Sequence, residues 1–259
     1  MPSKADRSQY QRQRATVVPA NNSVRRTYDL LRARLANIAP ETLLVEEQLV
    51  RELSASRNTV RIVLQRLAAE GLICRSPKVG THTFYSVTIP VDELIPFPEL
   101  PGRQPMERRL LETSVIPAPM LVAERLELPA DSRVRVIEGA MVDGSTPVAL
   151  TVSYVGVTAE DQTDLHQPIS DSAIWFVEEL LQVPVVRADT IVAALACDAQ
   201  TAGLLEVPEG SPILLLEDLL RDEDDRPCAL SQYRFRSDRV TLSATAWRQG
   251  ARLPTKQAC

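Results

Sequence analysis

Apolar residues along the first third of the chain recur at helical spacing and then give way to short strand-like runs. Val24, Tyr28, Leu31, Leu35 and Ile38 fall on one face of a helix, with Ser23 placed to cap its start. Pro40 breaks that helix, and Val45, Leu49 and Leu53 predict a short second one. Val60, Val63, Leu64 and Leu67 predict a third, which Gly71 stops. Residues 72–76 and 81–85 are strand-like and flank Pro77-Lys78-Val79-Gly80, a basic turn. Three helices and a two-stranded wing predict a winged helix-turn-helix over residues 23–85.

The polar positions of the third helix change the picture from fold to chemistry. Ser56, Arg57, Asn58, Thr59 and Arg61 put hydroxyls, an amide and two guanidiniums on its first turns. From a helix N-terminus in a major groove, such groups reach base edges and phosphates. Arg51 in the second helix and Lys78, Gly80 and Thr81 at the wing complete the DNA-binding candidates. The formal net charge of −5 runs against a nucleic-acid binder until its distribution is considered. Residues 1–85 hold 14 Lys+Arg and 7 Asp+Glu, which leaves 15 basic and 27 acidic residues for the rest. A basic head on an acidic body offers phosphate-binding charge at one end only.

Residues 1–22 are polar and carry Lys4, Arg7, Arg12 and Arg14, which predicts a disordered basic arm. It either tracks DNA phosphates or is a plain solvated tail. Prolines 90, 96, 98, 101 and 105 predict a linker without regular structure over 86–105. Val87, Ile89, Leu94, Ile95 and Phe97 suggest that parts of it dock on a surface. A body over 106–247 and a C-terminal tail over 248–259 follow.

The body contains an internal repeat. Residues 123–132 (AERLELPADS) line up with residues 202–211 (AGLLEVPEGS), about 80 residues on. Each copy continues into an apolar strand bearing a glutamate, Glu138 or Glu217, then an acidic turn and a returning strand. Paired hairpins building one antiparallel sheet with helices against it predict an α+β domain.

Cys74, Cys197, Cys228 and Cys259 are widely spaced, and the two histidines, His82 and His166, have no metal-like neighbours, so neither a metal nor a cofactor is expected. Apolar runs such as residues 191–197 are too short to span a bilayer, and no leader pattern opens the chain. A cytoplasmic protein is expected, with no membrane partner.

Residues 23–85 resemble the DNA-binding domain of the GntR family of bacterial transcription regulators. The likeness lies in Ser-Arg-x-Thr-Val-Arg at 56–61, Leu-x-x-Glu-Gly-Leu-Ile at 67–73 and Gly80-Thr81. Two departures stand out: Glu47 occupies a position where the family has an operator-reading arginine, and Ser54 replaces the turn glycine. Residues 106–247 resemble the UTRA ligand-binding domain of the HutC subfamily, through the Asp143-Gly144 turn, Ser153-Tyr154 and the hairpin at 227–238. The resemblance implies a chorismate lyase-like antiparallel fold, an effector pocket between the repeat halves and a homodimer formed through this domain. It implies a ligand-responsive repressor acting on a palindromic operator. A body that only dimerises is the alternative; a lyase-like enzyme is a further one, against which no Ser/His/Asp or Cys/His set is identifiable.

Sugar-phosphate-responsive members carry Arg-x-Arg before the Asp-Gly turn, and the matching positions here are Glu138 and Ala140. That exchange predicts an effector other than a phosphosugar, neutral or cationic against Glu138. Glu138 is alternatively a solvated strand residue or a partner of Arg135. Arg135 joins the pocket if a bulge re-aims it. Tyr154, Ser153, Ser231 and Tyr233 are candidate hydrogen-bonding groups, and Glu217 either lines the pocket or forms a structural salt bridge.

Overall fold

The computed structural model describes residues 22–35, 38, 42–76, 80–84, 86–92, 94, 106–157 and 173–246. The arm at 1–21, Lys78, most of the proline-rich stretch and the tail at 248–259 lie outside the described residues, as do the side chains of Trp175 and Phe176. The chain divides into two compact units at Ser86/Val87.

The first unit runs α1 (Asn22–Leu35), α2 (Glu46–Glu52), α3 (Arg57–Ala69), β1 (Ile73–Ser76) and β2 (Gly80–Thr83). Leu31, Leu49, Val60, Val63, Leu64, Leu67 and Ile73 form its core, with Tyr28 and Leu35 packed against it. Apart from Ile73, which opens β1, these are positions that the helical spacing selects, because one apolar stripe per helix is all that a domain this small can bury. The first helix begins at Asn22, two residues before the Val24 start that a Ser23 cap would give, so Ser23 sits inside its first turn. Ser54 takes φ 48° at the α2–α3 turn, adopting the left-handed geometry that glycine usually serves. Gly71, at φ 73°, ends α3 while Leu72 N–H donates to the Leu67 carbonyl at 3.0 Å. The α1–α3 seam is closed by Tyr28, whose hydroxyl bonds Glu70 and whose ring lies 4.1 Å beneath the Arg66 guanidinium.

The second unit opens with β3 (Val87–Pro90), which pairs in parallel with β10 (Val240–Ser243). This corrects the expectation of an irregular linker from residue 86. Val87 and Ile89 supply the strand, and Pro90 lies at its end, where a missing N–H costs no ladder bond. The remaining strands are β4 (Glu107–Pro117), β5 (Arg133–Asp143), β6 (Thr146–Val157), β7 (Arg187–Ala196), β8 (Pro212–Arg221) and β9 (Pro227–Arg236). They form one antiparallel sheet of six strands in the order β4-β5-β6-β9-β8-β7. Helices α4 (Met120–Arg125), α5 (Ala173–Leu181) and α6 (Ala199–Leu205) pack on it.

The repeat is visible atom by atom. Leu128 N–H donates to the Ala123 carbonyl at 2.9 Å, and Val207 N–H to Ala202 at 3.0 Å. Glu127 and Glu206 both turn left-handed, at φ 52° and 54°. Ala118 and Cys197 close the two loops on Ser132 and Ser211 at 2.9 and 2.8 Å. Each copy also takes in the strand before its helix, giving strand–helix–strand–strand twice, with the copies meeting at β6 and β9. Cys74, Cys197 and Cys228 are free thiols.

Candidate nucleic-acid interface and effector site

The exposed side of α3 is the first candidate site. Ser56 caps the helix: its Oγ accepts from Thr59 N at 3.1 Å and lies 2.9 Å from Thr59 Oγ1. Thr59 is buried, so these two hydroxyls serve to start the helix. Arg57, Asn58 and Arg61 remain exposed on the turns that follow, and Arg51 is exposed near the end of α2. Two carboxylates flank them. Glu47 Oε1 accepts from Arg57 Nη2 at 2.9 Å, while Glu46 accepts from Arg61 Nε at 3.1 Å and from Arg75 Nη2 at 3.2 Å.

At the wing, Thr81 is buried and its carbonyl accepts from Leu44 N at 2.7 Å, so it anchors the strand rather than presenting a hydroxyl. Gly80 has φ 109°, and a Cβ there would lie 2.8 Å from Leu43 Cδ1. The exposed Leu43 side chain can swing aside, so it is backbone strain at this φ that opposes Gly80→Ala. We expect that variant to destabilise the first unit by about 1–3 kcal/mol, read as a lower denaturation midpoint; a midpoint equal to wild type would refute the backbone role.

Alternation sorts the sheet residues of the second unit onto two faces. Glu138, Tyr154 and Glu217 lie on the face covered by α4 and α6, whereas Arg135, Ser153, Ser231 and Tyr233 lie on the face covered by α5. The seven candidates therefore do not converge on one pocket. Glu138 is exposed in a groove of about 270 Å³ that Leu150, Thr201 and Arg234 also line. Tyr154 packs with the α4 cluster. The Glu217 carboxylate accepts from Arg125 at 2.9 Å and from Gln232 Nε2 at 2.8 Å, which realises the structural salt-bridge alternative and ties α4 to the sheet. The register of β5 with β6 shifts only between Met141 and Val142, where Val148 of β6 is the extra residue, so no bulge re-aims Arg135, which is buried on the opposite face from Glu138.

On that α5 face, the registers bring Thr113, Ser153, Ser231, Asp218 and Thr190 into one row across β4, β6, β9, β8 and β7. Gly139, Thr151 and Tyr233 form the next row, with Arg108 beyond. Ser153 and Ser231 hydroxyls lie 2.9 Å apart, Tyr233 hydrogen-bonds Ser231, and Thr190 donates to Asp218 Oδ1 at 2.6 Å. Among the described residues, the buried hydroxyls of Thr113 and Thr151 have no hydrogen-bond partner, an arrangement rare in native interiors. A Cβ on Gly139 would stand 3.0 Å from Thr151 Oγ1 and 3.8 Å from Arg108 Nε, so the glycine leaves room where those groups meet. Burial pushes the Tyr233 hydroxyl up to about 12, raises the Asp218 carboxyl and lowers the Arg108 guanidinium. Of the residues in these rows, sequence reasoning singles out Ser153, Ser231 and Tyr233 and passes over Arg108, Thr113, Thr151, Thr190 and Asp218. The available signal was polar alternation within strands that are otherwise apolar.

The model for bacterial regulatory proteins of the gntR family matches residues 23–82, and the UTRA domain model matches residues 102–241. The chain belongs to the GntR family, in its UTRA-bearing HutC subfamily. It is thus a transcription regulator with a ligand-binding UTRA domain. An uncharacterized HTH-type transcriptional regulator of Rhizobium meliloti is 27% identical over 214 residues, covering 79% of this chain and 84% of that protein. A probable fructoselysine utilization operon transcriptional repressor of Escherichia coli is 22% identical over 209 residues, covering 79% and 85%. The crystal structure of PhnF from Mycobacterium smegmatis shares the fold at TM-score 0.57 and 18% identity, covering 86% of this GntR-family chain and all of PhnF. No helix among the described residues is long and apolar enough to cross a membrane, and no group of three or more His, Cys, Asp or Glu among them could hold a metal.

Proposed function

We propose that this GntR-family chain is a homodimeric repressor, acting in the cytoplasm, that leaves a palindromic operator when a small molecule occupies the polar row on the α5 face. The observation that supports the effector site is the pair of buried hydroxyls, Thr113 and Thr151, which have no partner among the described residues and lie beside the buried Arg108 guanidinium. A ligand that supplies acceptors to these two hydroxyls gives each a hydrogen bond that no described residue provides. The positions of a paired phosphate clamp hold Glu138 and Ala140, on the other face. One guanidinium suits a carboxylate bidentately. The effector is accordingly a hydroxylated acid rather than a phosphosugar, and Glu138 carries no weight in its charge.

The dimer reading is supported by the two edges of the sheet. β4 guards its edge with Glu107, Arg109 and Glu112 and a bulge at Leu111, whereas its repeat mate β7 has no charge from Thr190 to Ala196. β7 also keeps an unbroken register with β8, and Ile191, Val192 and Leu195 are exposed along it. A long, flat, apolar edge is a template for strand pairing, and an isologous partner satisfies it in a closed way.

The test is thermal melting of the full chain against a panel of hydroxylated carboxylic acids and their phosphorylated counterparts, followed by DNA-release titration of any stabiliser. Thr151→Val is expected to weaken that ligand about 10-fold, in keeping with one lost hydrogen bond, and Arg108→Leu to weaken it further. Both should leave DNA affinity without ligand unchanged. A stabilising ligand indifferent to both variants would place the effector elsewhere.

A further inference from the structure

We propose that Glu47 is a specificity-determining residue: paired with Arg57, it accepts from a cytosine amino group beside the guanine that Arg57 contacts. This rests on reading α3 as the DNA interface. The two carboxylates next to α3 are not equivalent. Glu46 has both oxygens engaged, Oε2 by Arg61 and Oε1 by Arg75, and so ties the helix to the base of the wing. Glu47 makes a single bond, from Arg57 Nη2 to Oε1. Among the described residues, its Oε2 and the other Arg57 N–H groups have no partner.

The pair is 75% and 72% exposed, and ion pairs this exposed contribute little to folding. A carboxylate on a DNA-facing surface also repels phosphates and so lowers affinity for every sequence. Its presence there is explained by discrimination. In the major groove the fork of Arg57 matches the O6 and N7 acceptors of guanine, while an ionised carboxylate can only accept. Cytosine N4 is a donor without an adjacent acceptor. Adenine N6 is flanked by N7, which repels the second carboxylate oxygen. Holding Arg57 at 2.9 Å fixes the two readers side by side, so they address neighbouring base pairs as one unit.

The experiment is selection from a random duplex DNA pool by the full chain, as wild type, Glu47→Ala, Glu47→Gln and Glu46→Ala, with circular dichroism to verify folding. Wild type should enrich half-sites holding a guanine next to a cytosine. Glu47→Ala should keep the guanine, lose the cytosine preference by about 10-fold, and bind unrelated duplex more tightly. Glu47→Gln should move the preference toward adenine, since an amide both donates and accepts. Glu46→Ala should retain the cytosine. Retention of the cytosine preference by Glu47→Ala, or its equal loss in Glu46→Ala, would overturn the assignment while leaving the interface standing. A wild-type selection that enriches no motif would remove the interface reading and this assignment with it.

Discussion

Replacing Arg57 and Arg61 together by alanine is expected to cut affinity for the selected site by about 30-fold to 10⁴-fold, from roughly 1–3 kcal/mol per base-reading arginine. Both side chains are exposed, at 75% and 66%, and neither belongs to the core that holds α3. Melting should therefore stay within experimental scatter of wild type. The loss is enlarged by what remains: Glu47 loses the arginine that pairs it, and Glu46 keeps only Arg75, so both carboxylates add repulsion toward the phosphates. Restoring part of the affinity by adding Glu47→Ala to the double variant is the corresponding sign check. Gel shift at one fixed salt concentration measures all three. Wild-type affinity in the double variant would mean that α3 does not enter the groove.

Much of the first unit was legible because its signals are local. The stripe at Val60, Val63, Leu64 and Leu67, the Ser56 cap and the Gly71 stop each lie within one helix length. The repeat was legible for the same reason, since 123–132 and 202–211 each encode one helix end and one left-handed turn. What failed to show was non-local. β3 pairs with β10, about 150 residues away in the chain, and no periodicity around Pro90 announces a parallel partner. The effector candidates were chosen by residue type, yet only register and helix placement decide which face each one joins. Glu138 and Ser153 look equally suitable in sequence, but they lie on opposite faces of the same sheet. Thr151 and Thr113 carry no signal until their burial and missing partners are seen.

Introducing like charges at the β7 edge is expected to have the broadest effect on the molecule. Ile191 and Leu195 alternate onto one face of that strand and are 56% and 41% exposed, so Ile191→Lys with Leu195→Lys removes little buried surface within one chain. Across a two-fold axis, however, each strand meets a copy of itself, and the four lysines crowd together where apolar side chains otherwise pack. The dimer should fall to monomer in sedimentation at micromolar concentration, while single-chain circular dichroism stays unchanged. Operator affinity should then drop by about 10²- to 10⁴-fold, because the second half-site is no longer held at high effective concentration. Affinity for an isolated half-site should stay as in wild type, which separates loss of pairing from damage to α3. A variant that sediments as a wild-type dimer would show that the copies meet through another surface, and the uncharged stretch from Thr190 to Ala196 would need a different partner.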